Sequence, residues 1–135
     1  MASFLSAVNT APPGSEFELI EQGSGRVVVA NLEVAVDSAT RKKGLLGRDG
    51  LPDGVGLVIA PTNAVHTFFM RFPIDIVFVS RAGRVLKVRQ AVPAWRMAAA
   101  LGGYAVIELA SGGAASAGLA VGHTVSVKRR AICGH

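Results

Sequence analysis

Residues 74–79 read Ile-Asp-Ile-Val-Phe-Val, and this stretch decides the fold because it is apolar on both alternating faces apart from Asp75. Successive side chains of a β-strand point to opposite faces of the sheet, so the run predicts a central strand that is covered on both sides. A Gly-containing loop follows at residues 80–84, and residues 85–92 then alternate apolar and charged side chains. These features predict a β-hairpin at the centre of the chain.

The same patterns predict further short elements on either side of this hairpin. Strands are expected at residues 17–21, 26–36, 56–60, 104–110 and 123–129. A short helix is expected over residues 39–46, capped by Asp37 or Ser38 and stopped by Gly47, and a single helical turn over residues 112–118. We therefore expect an α+β, mainly β fold, with a small antiparallel sheet or a partly closed β-barrel and one or two short helices.

Length and composition predict one domain. A chain of 135 residues, half of them apolar, is long enough for one core and too short for two. We assign residues 17–130 to the globular domain, residues 1–16 to a flexible N-terminal tail and residues 131–135 to a C-terminal tail. Residues 1–16 lack the features of a signal peptide, no segment is apolar enough for a membrane span, and the single Cys133 fits a reducing compartment. A cytoplasmic protein is the expectation.

Charge is unevenly distributed along the chain. Residues 1–53 hold five Lys or Arg and seven Asp or Glu, whereas residues 54–135 hold nine and two. A basic face could bind nucleic acid, anionic lipid or an acidic protein. No recognition-helix pattern or aromatic RNA-binding platform accompanies the charge, so we favour an ordinary solvated surface and keep nucleic-acid binding as an alternative.

The two acidic residues of the basic part, Asp75 and Glu108, both lie in apolar strands. Burying a carboxylate costs free energy unless a hydrogen-bond donor or a cation pairs with it. The pair could act as acid and base or as ligands of a hard metal. We favour the structural explanation, in which each accepts hydrogen bonds from backbone amides or from an arginine, with Arg48, Arg71 and Arg96 as the candidates.

Two further groups of side chains could form a site. His66 and Met70 lie on the same side of an extended run and could line a pocket, although a lone histidine beside aromatic residues is more often a packed residue. Residues 41–43 read Arg-Lys-Lys and, with Arg48, form the best local anion site, although such a run is usually a solvated helix face.

Known catalytic signatures are missing from the sequence. It contains no G-x-S-x-G elbow, no P-loop and no G-x-G-x-x-G, and the spacing of Cys133 and His135 is not that of a zinc site. No metal site and no cofactor are predicted.

An ordered series of short motifs resembles the domain of unknown function 192 family over about residues 27–128. The motifs are Arg-Lys-Lys-Gly-Leu-Leu-Gly-Arg at 41–48, Leu-Pro at 51–52, Gly-Val-Gly-Leu at 54–57, Met70 with Pro-Ile-Asp-Ile-Val-Phe at 73–78, Gly-Arg-Val at 83–85, Ile-Glu-Leu at 107–109 and Gly-Leu-Ala-Val-Gly at 118–122. The resemblance implies a small β-rich single domain with no established reaction. It marks Gly44, Leu45, Arg48, Met70, Pro73, Asp75 and Glu108. The chain departs from the family pattern at Leu46, where Met is common, and at His123, where Asp is common.

Our leading hypothesis is a non-enzymatic accessory domain that binds an unknown small molecule or protein. Its pocket is lined by Arg48, His66, Met70 and Arg71, with Asp75 and Glu108 holding the geometry. One alternative is a small enzyme that uses either acid as general base or metal ligand. That role requires the two carboxyl groups to lie within about 8 Å of each other or of the histidine. A nucleic-acid-binding or regulatory role through the basic face is the other alternative.

Overall fold

The computed structural model describes residues 3–130, which form nine strands and three short helices. The strands are β1 (Phe17–Glu21), β2 (Val27–Ala35), β3 (Val55–Ile59), β4 (Ala64–His66), β5 (Ile74–Val79), β6 (Val85–Val92), β7 (Met97–Ala99), β8 (Ala105–Ala110) and β9 (Val125–Arg129). The helices are α1 (Ser6–Thr10), α2 (Ser38–Lys43) and α3 (Gly113–Ser116). The C-terminal tail predicted at residues 131–135, with Cys133 and His135, lies outside the described residues.

Seven strands form one mixed sheet in the order β6-β5-β8-β3-β2-β1-β9. Among the described strands, β2 and β3 pair in parallel and the other neighbours pair antiparallel. A parallel pair needs a crossover connection, which is supplied here by α2 and the loop after it. The sheet of residues 3–130 is not closed into a barrel, although its edges meet at a bridge between Arg84 and Thr124. The mainly β prediction is confirmed, and a separate two-stranded ribbon is formed by β4 and β7.

The sheet is covered on both faces, as the pattern of its central strands predicted. The α1 face carries Val77 and Ile107 and is covered by α1 and α3. The ribbon face carries Ile76 and Val106 and is covered by the segment after α2 and by the β4–β7 ribbon. Because β5 and β8 contribute to both cores, every residue of β5 is buried.

The N-terminal segment packs against the sheet within the range that we had assigned to a tail. Phe4 and Leu5 are buried in the core of the α1 face. The backbone N–H of Phe4 donates to the carbonyl of Arg81, and its carbonyl accepts from Val127 N–H. The segment therefore joins the hairpin to β9. Two apolar residues are too short a pattern to reveal this from the sequence.

Helix α2 begins as predicted but ends earlier. The Asp37 side chain accepts a hydrogen bond from Thr40 N–H at 2.8 Å, which caps the first turn. The helix ends at Lys43 because Gly44 adopts φ +46° and ψ −126°, a conformation open to glycine. Gly47 was expected to stop the helix and instead lies in the loop beyond it.

No helix of residues 3–130 is long and apolar enough to cross a membrane.

Candidate functional site

A cavity of about 360 Å³ opens on the ribbon face, between α2, β3 and the ribbon. Its walls mix aliphatic and charged side chains, and its mouth is open to solvent. The lining residues are Ser38, Arg41, Lys42, Lys43, Gly44, Leu45, Leu46, Ile59, Thr62, Ala64, Val65, His66, Met70 and Glu108.

Glu108 is the buried acid of this cavity. The residue is 5% exposed, no donor within residues 3–130 forms a hydrogen bond to its carboxyl group, and its oxygens are not fully shut off from solvent. Burial raises the pKa of this carboxyl group from its ordinary 4.5 to about 7, against the attraction of the Arg48 guanidinium, which lowers it. Near neutral pH, Glu108 can therefore either donate or accept a hydrogen bond.

The alternation of β8 aims Glu108 into the cavity. Glu108 shares the ribbon face with Val106, and the register of the sheet places Ile76 of β5 directly beside it. Directly paired residues of an antiparallel ladder have their side chains on the same face. The apolar neighbours explain the poor solvation of the carboxyl group.

Cations of α2 form the rim of the cavity. The guanidinium of Arg41 donates to the carbonyls of Asp37, at 3.3 Å, and of Pro61, at 3.2 Å, which ties α2 to the loop after β3. Lys42 and Lys43 are exposed, and neither forms an ion pair with a carboxylate of the described part of the chain. Uncompensated positive charge therefore lies close to a buried acid.

Gly44 brings the end of α2 against Glu108. A Cβ atom built on this glycine would lie 3.8 Å from Oε1 of Glu108 and 3.7 Å from Cδ1 of Ile59. These are ordinary contacts, so the positive φ angle, rather than lack of space, is what favours glycine here.

His66 and Met70 reach the cavity from the ribbon and the loop that follows it. The His66 ring stacks on Phe68 at 4.7 Å, and its Nδ1 accepts a hydrogen bond from Phe68 N–H at 3.3 Å. Between them, Thr67 is buried and its hydroxyl donates to the carbonyl of Pro93 at 2.6 Å. The hydroxyl also accepts from Arg96 N–H at 2.9 Å, so one threonine fixes two loops to each other.

Asp75 lies on the opposite face of the sheet from Glu108. Its partner in the ladder is Leu109, which belongs to the core of the α1 face. One oxygen of Asp75 accepts from Ala91 N–H at 2.8 Å and the other from Ala114 N–H at 2.9 Å. The two acids therefore do not share a cavity, and Asp75 holds an irregularity of β6 and the start of α3 in place.

The arginines proposed as counter-charges have other partners. Arg48 binds both oxygens of Glu33, at 2.6 and 3.0 Å, and Arg71 pairs with Asp49 at 2.8 Å. Arg96 donates to backbone carbonyls of its own loop. None of the three arginines lines the cavity.

Of the six residues proposed for the site, the structure brings together His66, Met70 and Glu108 and places Arg71 and Asp75 elsewhere. Arg48 does not line the cavity, but its guanidinium is close enough to Glu108 to attract the carboxyl group. The cationic run at 41–43 carries a recognisable signal, since with Arg48 it is the best local anion site in the sequence, although a solvated helix face is the favoured interpretation there. Thr62 and Ile59 also line the cavity, but no sequence signal marks them, because their local sequence does not differ from that of other loop and strand residues.

Comparisons with known proteins agree with this fold. The family model DUF192, described as uncharacterized ACR, matches residues 19–127. A "putative transcription regulator" from Sinorhizobium meliloti 1021 superposes with a TM-score of 0.72 at 20% identity, covering 84% of this chain and 92% of that one. A protein of unknown function from Novosphingobium aromaticivorans DSM 12444 superposes with a TM-score of 0.70 at 27% identity, covering 90% and 96%. No curated protein matches the chain.

Proposed function

This chain belongs to the DUF192 family, and we propose that it is a binding domain that holds a small anionic molecule in the cavity above Glu108. The family has no established reaction, so the proposal depends on the cavity. The observation that carries it is a buried glutamate whose carboxyl group has no hydrogen-bond partner in residues 3–130 and whose oxygens keep contact with solvent, in an open cavity with a cationic rim. A ligand in the cavity would hydrogen-bond to this group in place of solvent.

The charges indicate what the ligand carries. An anionic group would meet the cations of residues 41–43, and a hydroxyl or amine would meet Glu108 at the base. Aliphatic walls at Leu45 and Ile59 leave room for a short carbon chain. The volume of about 360 Å³ falls within the range of small-molecule sites.

Titration with lactate, propionate and inorganic phosphate tests the proposal, with binding followed by amide NMR shifts. Lactate carries both groups, propionate lacks the hydroxyl and phosphate lacks the carbon chain. We expect lactate to bind most tightly and to shift the amides of the cavity residues. A protein whose cavity amides do not respond to any of the three would refute the proposal.

A pair of double variants separates a specific site from general attraction of anions. Lys42→Ser with Lys43→Ser removes two exposed charges from the rim, and Lys128→Ser with Arg129→Ser removes two exposed charges from β9. The rim variant should weaken lactate binding about thirtyfold, since it removes two contacts of about 1 kcal/mol each. The β9 variant should bind like the wild type. Equal weakening in both would mean that the anions respond to net charge alone.

The pKa of Glu108 favours a second candidate, a small enzyme with Glu108 as general acid or base. A group with a pKa of about 7 suits proton transfer at neutral pH, and His66 lines the same cavity. An enzyme that uses Asp75 as its general base has no support, because backbone amides donate hydrogen bonds to both carboxylate oxygens of Asp75. The variant Glu108→Gln distinguishes the two functions. If the protein is a binding domain, the variant keeps its affinity for lactate within a few fold of the wild type. If the protein is an enzyme that uses Glu108 as acid or base, the variant loses catalytic turnover.

Nucleic-acid binding has weaker support. The cations are spread over α2, the β5–β6 turn, the loop before β7 and β9, rather than gathered on one element. The "putative transcription regulator" from Sinorhizobium meliloti 1021 is similar in fold at 20% identity, which says nothing about the ligand of this chain. A cytoplasmic location stays a prediction.

A further inference from the structure

Four rings lie in contact one after another, three stacked and the last edge-on, in a row that leads from the cavity to solvent. His66 stacks on Phe68 at 4.7 Å, Phe68 on Trp95 at 5.7 Å, and Trp95 meets the edge of Phe69 at 4.7 Å. The stack ends outward, since Phe69 is 70% exposed and Trp95 57% exposed. Met97, at the start of β7, is exposed as well.

The backbone holds the two outer rings in this position. Phe69 and Trp95 adopt φ +64° and +67°, a region that is unfavourable for a bulky residue. Thr67 fixes both, because its carbonyl accepts from Met70 N–H and from Trp95 N–H. Exposing each ring also forgoes the stabilisation that its burial would give. Two strained and well-anchored loops that present aromatic rings to solvent indicate a contact surface.

The charge beside these rings is mainly positive. Arg96 directly follows Trp95 and is exposed, and Lys87 donates to the carbonyl of Ala99, at the end of β7, at 2.8 Å. Neither forms an ion pair with a carboxylate of the described residues. Arg71, two residues after Phe69, pairs with the exposed Asp49 and therefore adds no net charge. Arg96 and Lys87 make the surface around the rings complementary to an anionic partner.

We propose that Phe69, Trp95 and Met97, the aromatic patch, dock this protein on an anionic membrane surface. Tryptophan prefers the headgroup level of a bilayer, and apolar side chains beside it enter the acyl boundary. Lys and Arg side chains beside the anchor are attracted to the negative surface potential of anionic lipid. The apolar side chains and the basic residues act together, because binding to an anionic bilayer scales with the buried apolar area plus the electrostatic attraction. The proposal does not depend on the cavity ligand.

Lipid fits the patch better than the other anionic partners. A nucleic acid would stack its bases on flat rings, but Met97 has no ring and Phe69 meets Trp95 edge-on. A standard protein interface buries roughly 800 Å² on each side, more than three side chains can expose.

Trp95 is the single tryptophan of the chain, so its fluorescence reports directly on docking. We expect its emission to shift to the blue with vesicles of phosphatidylcholine and phosphatidylserine, and to be quenched when the lipids carry brominated chains. Pure phosphatidylcholine should produce a much smaller change, and high salt should weaken the response. An emission spectrum that anionic vesicles leave unchanged would overturn the proposal.

Matched variants test the residues of the patch. Phe69→Ser should weaken vesicle binding about tenfold or more, because the apolar anchor is lost. Arg96→Ser should weaken it about fivefold and reduce its salt dependence. Val121→Ser changes an equally exposed apolar residue before β9 and should bind as the wild type does. Circular dichroism checks that each variant is folded.

Two results with these variants would overturn docking of the aromatic patch on a membrane. Equal loss of vesicle binding in Val121→Ser would mean that no specific patch exists. A concentration-dependent dimer in sedimentation that Phe69→Ser abolishes, without vesicle binding by the wild type, would make the patch a self-association surface. Neither result would affect lactate binding in the cavity, so this proposal and the proposed function fail independently.

Discussion

At the scale of single residues, Asp75 and Glu108 show how one sequence pattern has two outcomes. Both are acids within apolar strands, and both are buried. Backbone amides satisfy both oxygens of Asp75, whereas no described group donates to Glu108. The difference lies in what the fold places opposite each carboxyl group. Asp75 therefore has a structural role, whereas the carboxyl group of Glu108 is free to bind a ligand.

Asp75→Ala should lower the free energy of unfolding by about 3 kcal/mol or more. The substitution leaves the N–H groups of Ala91 and Ala114 without their acceptor, at about 1–3 kcal/mol each. Urea unfolding measures the loss. Asp75→Asn keeps one acceptor oxygen and should lose less than the alanine variant. An alanine variant as stable as the wild type would remove the structural role assigned to Asp75.

Glu108→Gln should change how stability depends on pH. The carboxyl group ionises at an ordinary pKa of 4.5 when unfolded but retains its proton to about pH 7 when folded. The folded state therefore binds more protons between these values, and the free energy of unfolding of the wild type falls across this window as pH rises. The total fall is at most about 3 kcal/mol.

Glutamine stays neutral, so the Glu108→Gln variant lacks this fall and should be the more stable protein at pH 8. Urea unfolding of both proteins at pH 5 and pH 8 measures the difference. Asp53→Asn neutralises an exposed carboxyl group and serves as the control. Parallel pH profiles for Glu108→Gln and the wild type would contradict the raised pKa.

At the scale of elements, the local sequence pattern predicted the positions of most strands but not the structure of the loops that connect them. Strand β1 has the predicted bounds, and β5 occupies the decisive stretch at residues 74–79. The loops that carry the rings are fixed by Thr67, whose role depends on residues 26 to 29 positions away. A contact of that span leaves no local signature in the sequence.

Thr67→Val should loosen the loop at residues 93–97 and lower the free energy of unfolding by about 2 kcal/mol. Valine has the shape of threonine but cannot bond the carbonyl of Pro93 or the N–H of Arg96. Trp95 lies in this loop, so its fluorescence and a urea titration report the change together. Thr67→Ser retains the hydroxyl and should keep most of the stability. Identical behaviour of Thr67→Val and the wild type would show that the bonds do not fix the loop.

At the scale of the whole molecule, the sheet is held together by segments that are distant in sequence. Its edges, β6 and β9, meet at one bridge, and Phe4 is buried near this junction between the hairpin and β9. The ring of Phe4 also meets the edge of Tyr104 at 6.5 Å. The N-terminal segment is thus part of the core of the α1 face.

Phe4→Ala should lower the free energy of unfolding by about 3 kcal/mol, as is usual when a buried phenylalanine is truncated. Calorimetry measures the corresponding fall in melting temperature. Asn9→Ala lies on the exposed side of the same segment and serves as the control. A melting temperature that is unchanged in Phe4→Ala would mean that residues 1–16 behave as the tail expected from the sequence.

The sequence by itself determined the class of fold and most of the strands. Period-two alternation and runs such as residues 74–79 are local, so the strands and the mainly β class could be predicted from neighbouring residues. The resemblance to the family could be read in the same way, from short motifs in order. The sequence also singled out both buried acids, because a charge within an apolar run is visible without a structure.

Only the tertiary structure decided which residues meet. The register of β5 against β8 places Asp75 and Glu108 on opposite faces, and a shift of one residue would have reversed either side chain. The crossover between β2 and β3 brings α2 over Glu108 and makes the cationic run the rim of a cavity. Register and crossover depend on pairing between distant segments, and no local pattern encodes such pairing.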